Sequence, residues 1–392
     1  MTIYLDHAAT TPMRASVVEA FAAALPLVGN PSSIHSQGQA AKRMLEEARE
    51  TVATSLGADS VEVTFVSGGT EAINLAIKGL YWARNSGAVS RPRILVARSE
   101  HHATIDAVEW MRDHDGAVLD WIPVDVFGRI DVDYIRAALA DDVALVTMLW
   151  ANNEVGTLQP VSEVAALAAT HGVPVHVDAV SAFGYVPLDF HGARVAALSV
   201  SAHKIGGPVG VGALVIARSA SVTPLIHGGS QQRARSGTLD APGAVAFAAA
   251  AREATQGLSV RAGQLALLRD SVIAGVRSAV PDAVLRGDPA NRLPGNIHFT
   301  FPGCEGDSLL FLLDVAGFSV STGSACQAGV PEASHVLLAM GLDEPTARGA
   351  LRISLGDTTT AAEVAQFVGA LPKAVERAMA AGYSSRDTTL GH

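Results

Sequence analysis

A chain of 392 residues is long for a single hydrophobic core, and 49% apolar against 17% charged residues describes a compact globular protein. A formal net charge of −10 argues against a nucleic-acid surface, which needs clustered Lys and Arg, so any anionic ligand has to be met locally. Two cysteines exclude a disulfide framework and suit a reducing cytoplasm; no apolar run reaches a membrane span, and "MTIYLDHAATTP" lacks the basic-then-apolar order of a secretory signal.

From about residue 60 to 220, short β-branched runs alternate with Ala-rich helical patterns. "VEVTFV", "RILVA", "VALVTML", "VPVHVDAV" and "VAALSVS" read as buried strands. "GTEAINLAIKGLYWARN" and "VSEVAALAATHG" read as helices between them, the second closed by a glycine. This alternation predicts an α/β fold with a mostly parallel sheet and helices on both faces. One long helical stretch is expected over about 243–280, followed by "GNIHFTF", a helix at "DSLLFLLDVAG" and a closing "LRISLG". That change to an α+β pattern places a large domain over 14–255 and a smaller one formed by 1–13 with 256–392.

Parallel α/β sheets bind ligands at the C-terminal ends of their strands, so the polar residues there matter most. "VSGGTEA" (66–72) is a strand, a glycine turn and a helix start. Its free N–H groups at Gly69 and Thr70, with the Thr70 hydroxyl, offer a seat for an anion without the Walker pattern. "EHHATID" brings His101 and His102 after a strand, where a flat imidazole can stack on a ring or move protons. "WANNEVG" does the same for Asn152 and Asn153. No histidine pair has ligand spacing with a third ligand, so no resident metal is expected.

Asp178 closes an apolar strand, which is costly unless something pairs with it. A turn or cap would explain one such Asp. Lys204 follows the next strand, between Ser201, His203 and a glycine-rich turn. The other three lysines, Lys42, Lys78 and Lys373, read as surface positions, Lys78 near a helix end. An acidic strand end, a lysine strand end and a phosphate seat together are what pyridoxal phosphate requires: an amine to carry it and an acid for its ring nitrogen. Cys326, in "STGSACQAG" (321–329), has no bulky neighbour, unlike a structural cysteine, and reads as a presented nucleophile.

The order and spacing of "YLDHAATTP", "GNPSSIHSQG", "SGGTEAINLAIKG", "EHHATID", "NNEVGTLQP", "HVDAV", "SAHKIGGPVGVGAL", "RSGTLDAPG", "STGSACQAG" and "LRISLG" resemble the cysteine desulfurases of the IscS/NifS type over nearly the whole length. These are pyridoxal-phosphate enzymes of fold type I, the aspartate-aminotransferase architecture. The resemblance implies that Lys204 carries pyridoxal 5'-phosphate, Asp178 pairs with its ring nitrogen, and His101 stacks on the ring and assists proton transfer. It further implies that Gly69, Thr70, Ser201 and His203 bind the phosphate, with Thr238 of "RSGT" donated by the neighbouring subunit of a homodimer. Asn153 would contact the ring oxygen and, with Arg352, the substrate, whose carboxylate Arg352 clamps.

On that reading Cys326 takes sulfur from L-cysteine as a persulfide, leaving L-alanine, with His101 the first candidate for its base. The sulfur would pass to an acceptor protein: a cluster scaffold, a tRNA-thiolation protein, a DNA-sulfuration partner or a cluster apoprotein. Cys326 would also be a transient iron–sulfur ligand, and no direct nucleic-acid or membrane partner is expected. Cys304 matches no family motif. One position departs from the family: Ser181 stands where Gln is usual, so a second donor to the ring oxygen is missing. Rival readings are a selenocysteine-lyase-like C–S or C–Se lyase, and a non-catalytic platform, against which Lys204, Asp178 and Cys326 speak together.

Overall fold

The computed structural model describes residues 2–323 and 333–384. Cys326 lies outside the described residues, and everything structural below concerns the residues inside them. Twelve strands are formed: β1 (Ile3–Tyr4), β2 (Val63–Val66), β3 (Arg93–Ala97), β4 (Val118–Ile122), β5 (Val143–Leu149), β6 (Val175–Asp178), β7 (Ala197–Ser201), β8 (Gly212–Ile216), β9 (Val284–Leu285), β10 (Asn296–Thr300), β11 (Phe318–Ser319) and β12 (Ala350–Ser354). The helices are α1 (Ala15–Ala24), α2 (Ser36–Ser55), α3 (Gly69–Arg84), α4 (His102–Asp115), α5 (Val132–Ala138), α6 (Val161–Thr170), α7 (Phe190–Ala193), α8 (Ala241–Thr255), α9 (Leu258–Ala279), α10 (Gly306–Val315), α11 (His335–Ala339), α12 (Glu344–Arg348) and α13 (Ala361–Ser384).

Seven strands build one sheet in the order β2-β8-β7-β6-β5-β3-β4. β3 to β7 pair in parallel, while β8 runs antiparallel to both its neighbours, β7 and β2. Its central strands, such as β5 and β8, are buried on both faces, as their near-continuous apolar sequences require, while the edge strand β4 is partly open. Alternate residues of β3 divide between two cores: Leu95 and Ala97 join the side packed by α1, α2, α6 and α8, whereas Ile94 and Val96 join α3 and α4. Chain order reverses between β3 and β5, and the crevice at such a reversal is where the ligand site of an open α/β sheet falls.

A second core is built from both chain ends. β9, β10 and β12 form an antiparallel sheet, and β1 pairs with β11, so Ile3 and Leu5 pack with Phe299, Leu313, Ile353 and Phe367. The long helix expected over about 243–280 is two helices. Gly257 sits at φ 66°, a left-handed conformation that glycine adopts without penalty, and the chain turns there between α8 and α9. Lys78 also differs from its expected place: it lies inside α3 with Nζ 4.3 Å from the centre of the Trp110 ring. No described helix is long and apolar enough to cross a membrane.

Candidate active site

The C-terminal ends of β2, β3, β5, β6 and β7 converge on a cavity of about 420 Å³. Of the positions singled out in the sequence, Gly69, Thr70, His101, Asn153, Asp178, Ser181, Ser201, His203, Lys204 and Arg352 all line it. Thr238 does not; it is exposed on this chain. Asn152 stays behind the wall: Nδ2 donates to the Ser99 carbonyl, and Oδ1 accepts from the Glu154 and Val155 amides, which turns the chain so that Asn153 faces inward. His102 starts α4 outside the cavity, its ring 4.5 Å from that of His335.

The glycine turn after β2 leads into a helix start, the place where the sequence reading expects an anion. α3 begins at Gly69, and a side chain there would bring its Cβ within 2.8 Å of Val180. The Ser201 hydroxyl lies beside this helix start, buried and without a hydrogen-bond partner. An orphaned donor next to the free N–H groups of a sixteen-residue helix fits a phosphate. His203 completes this side, Nδ1 lying 3.2 Å from Thr10 Oγ1, its imidazole pulled down to about 4 by burial and by the charge of Lys204.

Lys204 sits on the turn between β7 and β8, closed by Gly206 at φ 79°. Its Nζ donates to the carbonyls of Ala8 (2.5 Å) and Ala9 (2.9 Å), so the N-terminal segment roofs the cavity. Burial lowers the amine to about 8, Arg352 adding to this while Asp178 and Asp6 oppose it. Asp178 is pushed up to about 6 by burial, against the Val180 amide bonded to Oδ1 at 2.9 Å and the charge of Lys204. The turn role and an open carboxyl oxygen therefore coexist. A buried acid lacking an ion-pair partner fits a cationic ring nitrogen.

His101 caps α4, and its Nδ1 accepts the Ala103 amide at 3.0 Å. The ring is open to the cavity yet deep among its neighbours, and desolvation, then Lys204, draws it down to about 4. The neutral ring with Nδ1 as acceptor carries its proton on Nε2. Arg352, on β12, donates from Nη1 to the Asn153 carbonyl (3.0 Å) and from Nη2 to Asp6 (2.9 Å), while Nε is buried and unpartnered. Asp6 and the Ala8 and Ala9 carbonyls had no role in the sequence reading, although "YLDHAATTP" was singled out as a motif.

Cys304 is buried in the second core, its Sγ directed at the Val375 carbonyl, and burial pushes the thiol up to about 11. Cys304→Ala is expected to leave turnover unchanged in a steady-state sulfide assay, because the thiolate scarcely forms there.

Residues 3–367 match the aminotransferase class-V family. The chain is 50% identical to an IscS-like cysteine desulfurase of Mycobacterium tuberculosis over 97% of this chain and 98% of that one. A solved structure of a NifS-like protein superposes with a TM-score of 0.89 at 34% identity, over 96% of this chain and 100% of the other. The structure of SspA in complex with cysteine does so at 0.77 and 30%, over 90% and 99%.

Proposed function

The chain belongs to the class-V aminotransferases, among the IscS- and NifS-type cysteine desulfurases, and from that membership we propose that it converts L-cysteine to L-alanine, moving the sulfur to Cys326 and on to an acceptor protein. The observation that carries this reading is the single cavity where Lys204, Asp178, an orphaned Ser201 hydroxyl and Arg352 meet. Pyridoxal phosphate, when bound, supplies the electron sink for breaking bonds at the substrate's Cα and Cβ.

The chain's own residues divide the remaining work. Gly69, Thr70, Ser201 and His203 hold the phosphate, Asp178 the ring nitrogen and Asn153 the ring oxygen. Arg352 offers the substrate carboxylate its unpartnered Nε and a fork already oriented by Asp6 and Asn153. Lys204, lowered to about 8, both carries the cofactor and takes a proton from the substrate once released. His101 enters as an Nε2–H donor and acts as a base only after giving that proton up. In the sulfur step the Cys326 thiolate attacks the substrate sulfur. The Cβ–S bond breaks, its electron pair and a proton complete the alanine methyl, and the enzyme keeps the sulfur as a persulfide. We assign 14–255 to cofactor binding, and 1–13 with 256–392 to the part carrying Cys326. Supply of sulfur for iron–sulfur cluster assembly is the proposed destination, tested by persulfide transfer to proteins captured from cells.

A homodimer with shared sites completes the proposal. Leu25, Leu27, Val28 and Ile34 are exposed, Ile34 at 94%, beside a cleft that also draws on Ser230, Gln231 and Leu239 of the Thr238 segment. Clustered exposed apolar side chains mark a contact surface. Mixing Lys204→Ala with Thr238→Ala chains is expected to restore activity, since one site of each heterodimer carries both defects and the other neither. Full activity in a sedimenting monomer contradicts this.

Ser181 borders both the main cavity and an adjoining one of about 30 Å³ beside Lys204, Asn153 and Tyr185, so a longer side chain at this position has space beside the cofactor site. Ser181→Gln is expected to stay active and to lower the apparent pKa of the bound cofactor's absorbance titration, because an added donor favours the deprotonated ring oxygen. An unchanged titration removes Ser181 from that oxygen's surroundings.

A further inference from the structure

Glu154 is 1% exposed, follows Asn153 in "NNEVG" and has no role in the chemistry above. Its backbone is fixed by the Asn152 side chain, which accepts its amide at 2.9 Å. One carboxyl oxygen, Oε2, accepts the Ser334 hydroxyl at 2.5 Å. The same Ser334 oxygen accepts the Leu337 amide at 3.2 Å and so caps α11. Oε2 also lies against Gly323: a Cβ on that glycine would sit 3.3 Å from it and 3.3 Å from His298 Nε2. Gly323 takes φ +90° and donates its amide to Ser321 Oγ, and Ser321 in turn pairs with Arg352. His335 adds an outer contact, Nδ1 at 4.0 Å from Glu154 Oε1, while its Nε2 bonds the Glu100 carbonyl. Residues 323 and 333 are the described positions on either side of Cys326. Ser334, next to the second, hydrogen-bonds this buried oxygen, and Gly323 lies beside it.

We propose that Glu154 is a positioning residue for sulfur transfer: its carboxyl group holds Ser334 by a hydrogen bond and packs beside Gly323, whose neighbour Ser321 pairs with Arg352, and so sets the described residues near either end of the stretch containing Cys326 relative to the substrate. A buried polar group worth keeping is one whose partners are satisfied and fixed, and here the carboxyl joins three stretches of chain that are otherwise remote: β5–α6, the end of β11 and the start of α11. Orientation of a nucleophile is a large rate factor, and a misplacement of about 1 Å costs on the order of a hundredfold. Gln at 154 keeps an oxygen to accept the Ser334 hydroxyl, whereas Ala removes it.

This inference rests on Cys326 being the sulfur acceptor. The test uses the holoenzyme and two rates. Exchange of the Cα proton of L-alanine into D2O needs the cofactor, Lys204 and Arg352 but no thiol; single-turnover persulfide formation from L-cysteine needs Cys326 as well. Glu154→Ala is expected to slow persulfide formation by about tenfold or more while alanine exchange is unchanged, Ser334→Ala to act in the same direction, and Glu154→Gln to recover most of the rate. Wild-type persulfide formation in both alanine variants overturns the proposal, as does a parallel fall of both rates. If Glu154→Ala does not fold, Ser334→Ala decides on the same criteria. Failure of the underlying reading is separately visible, as persulfide formation by Cys326→Ala with Glu154 intact.

Discussion

Lys204→Ala protein is expected to be colourless, to release any added pyridoxal phosphate on gel filtration, and to have no desulfurase activity. In the wild type, borohydride is expected to fix the cofactor on Lys204 and on none of the other three lysines. The reason is electrostatic. An amine of pKa about 8 is roughly a tenth neutral at pH 7, against about one part in three thousand for an ordinary lysine at 10.5. Neutral amine is the form that attacks an aldehyde, so loading of cofactor-free protein should rise about tenfold per pH unit below pH 8 and flatten above it. The sign follows from burial: it disfavours the protonated amine, and the lowered value opens the reactive window near neutrality. A borohydride tag on Lys42, Lys78 or Lys373, or loading that still climbs steeply to pH 10, overturns the assignment.

Cys326→Ala is expected to keep the bound cofactor's absorbance and its capacity to exchange the alanine Cα proton, yet to lose persulfide formation and sulfide release under reductant. The substitution removes the nucleophile and leaves the cavity that Lys204, Asp178 and Arg352 build. A free thiol of pKa about 8.5 is only a few per cent ionised at pH 7, so the wild-type rate should rise with pH until the thiolate is fully formed. His101 carries its proton on Nε2 with Nδ1 occupied, and is not by itself ready to deprotonate Cys326. His101→Gln should therefore depress proton-transfer steps without moving the thiolate limb of the pH profile. A Cys326→Ala enzyme that still releases sulfide, with Cys304→Ala inactive, would reverse the roles of the two cysteines.

Of the ten cavity residues named in the sequence, Gly69, Thr70, His101, Asn153, Asp178, Ser201, His203 and Lys204 stand at or just past the end of a locally encoded element, whereas Arg352, inside β12, and Ser181 were reached only through the family resemblance. β-Branched runs such as "VPVHVD" specify their own strands, the glycines of "VSGGTEA" specify a turn into a helix, and a polar residue straight after an apolar strand has only the sheet's C-terminal edge to occupy. The break at Gly257 was hidden because Ala-rich sequence satisfies a helical period on both sides of it, and one glycine inside such a pattern does not announce a turn. The contacts that finish the site carry no local signal at all. Lys204 meets the Ala8 carbonyl across 196 positions, Arg352 meets Asp6 across 346, and Glu154 meets Ser334 across 180. By itself the sequence determined the sheet, the strand-end chemistry and the candidate reactive groups, since periodicity and turn residues act within a few positions. Only the tertiary structure decided how the amine, the carboxyl groups and the arginine are desolvated and paired, because burial and Coulomb interactions depend on distance in space and not on order along the chain.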